Sequence, residues 1–142
     1  MPIRVLVDTN FLLDLMVPDR VNSMSSIHLV DEFNKGKLSI VLHAGSLNDA
    51  YYIARNFCTE TGRRGWLDFF LDRFDVFPVD AALCRASLDS DEPDFEDGLV
   101  RACAESLNVD YIVSTDRKAF GRSYIRRIES PELARLLGHY ED

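Results

Sequence analysis

The run Ile3-Arg4-Val5-Leu6-Val7, followed at once by Asp8-Thr9-Asn10 and Phe11-Leu12-Leu13-Asp14-Leu15-Met16, constrains the chain more than any other stretch. The first five residues are mostly apolar and β-branched, as in a short buried strand. The second run has helical character, so strand passes to helix with almost no loop. The same alternation recurs along the sequence. Leu38–Leu42, Asp75–Val79 and Tyr111–Val113 read as further strands, and Arg126–Ile128 as a final edge strand. Such alternation builds a mostly parallel sheet covered by helices on both faces. The expected fold class is therefore α/β: a Rossmann-like three-layer α/β/α sandwich with four to five strands, in a single domain spanning residues 1–142.

The helices between the strands carry readable termini. Met24 to Asn34 follows Asn22 or Ser23 as cap, with Met24, Ile27, Val30 and Phe33 as core contacts and Gly36 in the left-handed position past its end. Ser46 opens the next helix, with Asp49 three residues on as in a capping box. Trp66 to Phe74 forms another, with Gly62 and Gly65 weakening its start. Asp80 and Asp94 each begin a helix, and Asn108 closes the second of these. Ser130 at N-cap and Pro131 at N1 start the last helix, which Gly138 ends.

Composition narrows the class. A chain of 142 residues with 46% hydrophobic and 28% charged residues suits a globular domain. No apolar run approaches membrane-spanning length, and the N-terminus shows no signal-peptide pattern, so a cytoplasmic protein without a membrane partner is expected. Cys58, Cys84 and Cys103 are odd in number and widely spaced, which fits reduced thiols rather than disulfides or a zinc site. His28, His43 and His139 are isolated and read as structural or surface residues. The net charge of −8 disfavours a passive nucleic-acid-binding surface. Yet the charge is uneven. Asp89 to Asp97 holds six acids and no base, and Arg117 to Arg127 holds five bases and no acid. Each run suits either a solvated face or, together, an acidic pocket beside a basic rim.

Four acids fall at comparable points of this skeleton. Asp8 follows the first strand, Asp49 and Asp97 lie in first turns of helices, and Asp116 follows the Tyr111–Val113 strand. In a right-handed α/β sheet these points share one edge, where ligands gather. Asp97 precedes its strand and reaches that edge only through the N-terminus of its helix. Singly, each acid is equally a helix cap or turn residue. Collected, carboxylates repel one another unless a cation neutralises them. Oxygen ligands without histidine or cysteine select Mg²⁺ or Mn²⁺.

The segments Val7-Asp8-Thr9-Asn10-Phe11-Leu12-Leu13-Asp14, Ser46-Leu47-Asn48-Asp49-Ala50-Tyr51-Tyr52, Asp94-Phe95-Glu96-Asp97-Gly98-Leu99 and Asp110-Tyr111-Ile112-Val113-Ser114-Thr115-Asp116-Arg117-Lys118-Ala119-Phe120 resemble, in order and spacing, those of PIN-domain ribonucleases. Ser130-Pro131-Glu132-Leu133 fits as well. The chain looks like the kind found as toxins of prokaryotic toxin–antitoxin pairs. The resemblance implies a PIN-like fold and a metal-dependent ribonuclease, with Asp8, Asp49, Asp97 and Asp116 as catalytic metal ligands and Asp94 as an extra one. It implies Mg²⁺ or Mn²⁺ as cofactor, RNA as substrate, a small antitoxin whose tail blocks the acidic pocket, and a homodimer. Asn10, Ser114 and Thr115 would orient ligands or contact phosphate, and Arg117, Lys118 and Arg122 would hold the RNA backbone. Two departures stand out. The second acid is commonly glutamate and here is the shorter Asp49, and relatives vary at the position of Asp116. A non-catalytic protein that keeps the fold and binds RNA or a partner is the alternative. An aspartyl-phosphate enzyme built on Asp8 ranks last, because it wants an acid at position 10, where Asn10 stands. Tyr51, Tyr52 and Trp66 are candidate interface aromatics.

Overall fold

Strand gives way to helix from end to end of this computed structural model, which describes residues 2–138. The order is β1 (Ile3–Val7), α1 (Thr9–Met16), α2 (Ser23–Asn34), β2 (Leu38–His43), α3 (Ala44–Ile53), a 3₁₀ turn at Ala54–Asn56, α4 (Glu60–Arg73), β3 (Asp75–Phe77), α5 (Ala81–Leu88), α6 (Phe95–Leu107), β4 (Tyr111–Val113), β5 (Arg126–Ile128) and α7 (Ser130–Leu136). The five strands form one sheet in the order β3-β2-β1-β4-β5. Every pairing is parallel, for example Val5 with Ile40, Val5 with Tyr111, Val41 with Asp75 and Ile112 with Arg127. Of the histidines, His139 lies outside the described residues.

The period-two alternation of β1 decides the layers. Val5 and Val7 pack in one core with Ile40, Leu42, Val113 and Ile128, and helices α1, α2, α4 and α7 cover it through residues such as Leu12, Leu29, Phe70 and Leu133. Leu6 points the other way and packs with Val41 and Ile112 under Val100, Cys103 and Ala104 of α6. Because both faces of the central strand are dry, Val5, Leu6 and Val7 are all fully buried. The strand order reverses between β1 and β4, so the carboxyl ends of these two strands flank the crevice where α/β sheets bind ligands.

Several termini differ from the sequence expectation. β2 runs on to His43, which pairs with Phe77, so α3 starts directly at Ala44. Ser46 is then inside the helix, no side chain caps it, and Asp49 falls in the second turn rather than the first. The cap of α7 is Glu129, one residue before Ser130; Ser130 is helical, and its hydroxyl hydrogen-bonds Ser26 Oγ at 3.1 Å. Helix α2 does not bury Met24 and Ile27, which are exposed; it turns Ser25, Ser26, Leu29 and Glu32 inward. Polar partners outweigh hydrophobicity here, since Ser26 Oγ also donates to the buried Asp14 at 2.8 Å. Helix α4 begins six residues before Trp66. Thr59 caps it by accepting from Gly62 N at 3.0 Å, and the Glu60–Arg64 pair adds a bridge at 2.8 Å, which together offset the two glycines. The expected caps Asp80 and Asp94 do accept from Leu83 N and Asp97 N, and Asn108 and Gly36 adopt positive φ of 50° and 79°.

Candidate active site

The carboxyl end of β1 delivers Asp8 to the crevice. Its backbone is extended, its N–H donates to Val113 O at 3.4 Å, and its carboxylate caps α1 by accepting from Phe11 N at 3.3 Å. Burial pushes this carboxyl up to about 6, against hydrogen bonds from the Ser114 hydroxyl and the Phe11 and Asn10 backbone that favour the charged form; the nearby Asp14 charge raises it further. Ser114, at the end of β4, is buried and links two acids: it bonds Asp8, and its Oγ accepts from Asp116 N at 3.1 Å. Asp116 in turn accepts from Lys118 N at 3.0 Å, which fixes the turn after β4. Thr115 is exposed beside it. Asp8, Asn10, Asp14, Ser114 and Thr115 line a pit of about 10 Å³, room for about one water.

The N-terminus of α6 brings the next group. Asp94 caps the helix by accepting from Asp97 N at 2.8 Å. Asp97 is pushed up to about 7 by burial, then by the charges of Asp94 and Asp116. Among the described residues its buried Oδ2 has no hydrogen-bond partner. Helix α6 therefore does reach back to the strand ends. The close seat of α6 on α5 explains how: Gly98, one residue past Asp97, lies so near Ser87 that a Cβ there would sit 2.2 Å from the Ser87 hydroxyl and 2.9 Å from its carbonyl oxygen. The Ser87 hydroxyl also donates to Phe95 O at 2.7 Å.

Asp49 reaches the same group from α3, but its contact is with Glu96. The two carboxyls share a hydrogen bond. Burial raises Asp49, and burial plus repulsion from Asp49 and Asp94 raises Glu96. Glu96 was not among the residues singled out from sequence; its only signal was membership of the acidic run. Hydrogen bonds join Asp8 through Ser114 to Asp116, and Glu96 to Asp49, while charge repulsion links Asp116 to Asp97, Asp97 to Asp94 and Asp94 to Glu96.

The flanking charges are mostly spoken for. Asp91 and Glu92 are held by Arg101 at 2.7 and 3.0 Å, and Glu92 also accepts from Phe120 N at 2.8 Å. Arg122 pairs with Asp91 at 2.6 Å, Arg126 with Glu132 at 3.0 Å, and Arg127 and Arg117 with Glu129 at 3.4 and 3.6 Å. Among the described residues, Lys118 is the one base of that run without an ion pair. Sequence reasoning also missed Arg20, which donates to Asp14 at 3.0 Å and to Asn10 at 3.2 Å beside Asp8.

Hard carboxylate oxygens, two of them on groups raised to about 6 and 7 and one orphaned by burial at Asp97, suit a divalent oxygen-loving cation. Among the described residues no three carboxylates stand closed on a single point as ligands. The donor chemistry fits such an ion.

The sequence pattern of the PIN domain family matches residues 4–118. Solved structures of the same shape include PAE2754 from Pyrobaculum aerophilum, at 19% identity and TM-score 0.65, with 98% of each chain covered. VapC20 of Mycobacterium tuberculosis, described as a toxin cleaving the sarcin–ricin loop, matches at 14% identity and TM-score 0.65 over 79% of this chain and 89% of that one. VapBC2 from Rickettsia felis, bound to a DNA fragment from its promoter, matches at 14% and 0.62 over 89% and 98%. At these identities the likeness speaks for the fold. No curated protein matches the chain.

Proposed function

The chain belongs to the PIN domain family, and from that premise we propose that it is a ribonuclease hydrolysing RNA phosphodiester bonds with Mg²⁺ or Mn²⁺. Asp8, Asp49, Asp97 and Asp116 would hold the ion, with Asp94 and Glu96 beside them. Such an ion supplies a water of lowered pKa and neutralises charge on the phosphate. Asp8 and Asp97 must give up their protons to bind it. Ser114 keeps Asp8 and the turn of Asp116 in register, Asn10 and Thr115 border the pit where a phosphate oxygen would enter, and Arg117 and Lys118 offer the flanking positive charge. The observation that carries this reading is the buried, unpartnered Oδ2 of Asp97 next to two other acids at the carboxyl edge of the sheet.

The toxin role rests on the likeness to VapC20 and VapBC2. It brings with it a small antitoxin as partner, a homodimer and a cytoplasmic location. Among the described residues no helix is long and apolar enough to cross a membrane. Asp8→Asn is expected to abolish Mg²⁺- or Mn²⁺-dependent cleavage of RNA while leaving the circular dichroism spectrum intact; full activity in that variant would sink the assignment.

A non-catalytic RNA- or partner-binding role is the second reading, favoured by the pairing of the short Asp49 with Glu96 rather than with the other three acids. Calorimetric titration with Mn²⁺ separates the two. No heat of binding would support the non-catalytic role.

A further inference from the structure

Past the acids, α3 ends in an exposed aromatic surface that neither fold nor site requires. Tyr52, Ile53 and Phe57 are 61%, 45% and 67% exposed. Tyr52 and Ile53 lie three and four residues after Asp49, so all three occupy one face of the helix. Tyr52 is about 4.5 Å along the axis from the acid. Among the described residues no element fully covers that face where it leaves the site.

Two arginines dress this surface. The Arg55 guanidinium stacks 3.9 Å from the centre of the Tyr52 ring, and its Nη1 donates to Tyr52 O at 2.8 Å. The ring is thereby held while still more than half exposed. Arg63 stands 4.2 Å from the Tyr51 ring, but it is tied to Glu60 at 3.0 Å, as is Arg64 at 2.8 Å. Among the described residues Arg55 has no carboxylate partner. A fixed, exposed ring with an uncompensated guanidinium against it, on a chain of net charge −8, suits a ligand with a flat π-face and a negative backbone. A second copy of this chain suits it less. A two-fold contact centred on Tyr52 would set one Arg55 near the other.

We propose that Tyr52 and Arg55 form a stacking site for an unpaired base of single-stranded RNA, one step outward from Asp49, with Arg55 also meeting its phosphate. Ile53 extends the apolar floor. This rests on the ribonuclease reading for the identity of the strand.

The test is fluorescence anisotropy with a labelled single-stranded RNA oligonucleotide, and with the same strand annealed to its complement, in the absence of divalent metal so that binding is read without cleavage. Tyr52→Ala is expected to weaken single-strand binding roughly tenfold and to leave duplex binding little changed, while Tyr52→Phe keeps the affinity. Arg55→Met is expected to lower the slope of log K against log salt by roughly 0.7. Unchanged single-strand affinity in both Tyr52→Ala and Arg55→Met overturns the proposal. So does a shift of either variant's mass in sedimentation, which would make the patch a contact between copies. If the wild-type protein cleaves RNA with Mg²⁺ and the variants bind as it does, only the stacking site fails. If it neither binds nor cleaves RNA, the ribonuclease reading fails with it.

Discussion

Asp97 is held where its charge is least welcome. Burial and the neighbouring Asp94 and Asp116 raise its carboxyl from 3.8 to about 7. An acid whose folded pKa lies above its unfolded one binds more protons in the native state, so it opposes folding as pH rises from about 4 to about 7. Asp97→Asn removes that opposition and keeps the shape. Solvent screening of this part-exposed carboxyl discounts the shift, so the variant is expected to stabilise the metal-free protein by about 1 kcal/mol, or roughly 3 °C in melting temperature, and to abolish the stabilisation that Mn²⁺ gives the wild type. Differential scanning fluorimetry with and without Mn²⁺ reads both effects. His43 acts in the other direction. It is buried, its Nδ1 has no partner, and burial lowers its pKa from 6.5 to about 4. The unfolded chain then binds the extra proton, so stability from this residue is lost as pH falls from about 6.5 to about 4. Urea titrations across that window should show a shallower acid-side loss for His43→Gln than for the wild type. In sequence His43 was one of three isolated histidines, and nothing local announced its burial. Asp8, Asp97 and Asp116 were legible because strand ends and helix caps are local events. Glu96 was not, because which carboxylate meets Asp49 depends on how α3 and α6 lie in space.

The elements were read well where hydrophobic period and cap agreed, as in β1, α5 and α6. They were misread where tertiary contacts prevailed. Ser46-x-x-Asp49 has the look of a helix start, yet the ladder between β2 and β3 carries β2 to His43 and begins α3 earlier. Helix α2 shows an apolar stripe at Met24 and Ile27, but hydrogen bonds of Ser26 to Asp14 and Ser130 rotate a polar stripe inward. The α5–α6 contact belongs to this scale too. Gly98 is the glycine whose missing side chain the packing uses, with Ser87 in the space a Cβ would take. Gly98→Ala should cost about 1–3 kcal/mol by overpacking, measured by urea denaturation. Since the shift it forces moves the turn carrying Asp94, Glu96 and Asp97, Mn²⁺ affinity should fall in the same variant, as read by calorimetry.

For the molecule as a whole, the candidate site belongs to no single element. It draws on the ends of β1 and β4, on the second turn of α3 and on the first turn of α6, gathered at the reversal of strand order. Metal uptake there competes with protons on groups near 6 and 7. Mn²⁺ affinity is therefore expected to rise between about pH 5.5 and 7.5 and then to level, with protons released on binding; calorimetry in buffers of different ionisation enthalpy checks this, and a flat profile would count against ligation by Asp8 and Asp97.

The position of β1 between β2 and β4 bears on how the protein is made. Val5 to Val7 wait for Tyr111 to Val113 as neighbours on one side, and Asp8 waits for Ser114 and the turn of Asp116. A ribosome adding roughly 5–20 residues per second needs several seconds to cover that interval. Through that time the growing chain holds Asp8 without its partners across the crevice. Whatever chemistry the acids perform is thus withheld until most of the chain has been synthesised, and a product that stops short of β4 is expected to be inert.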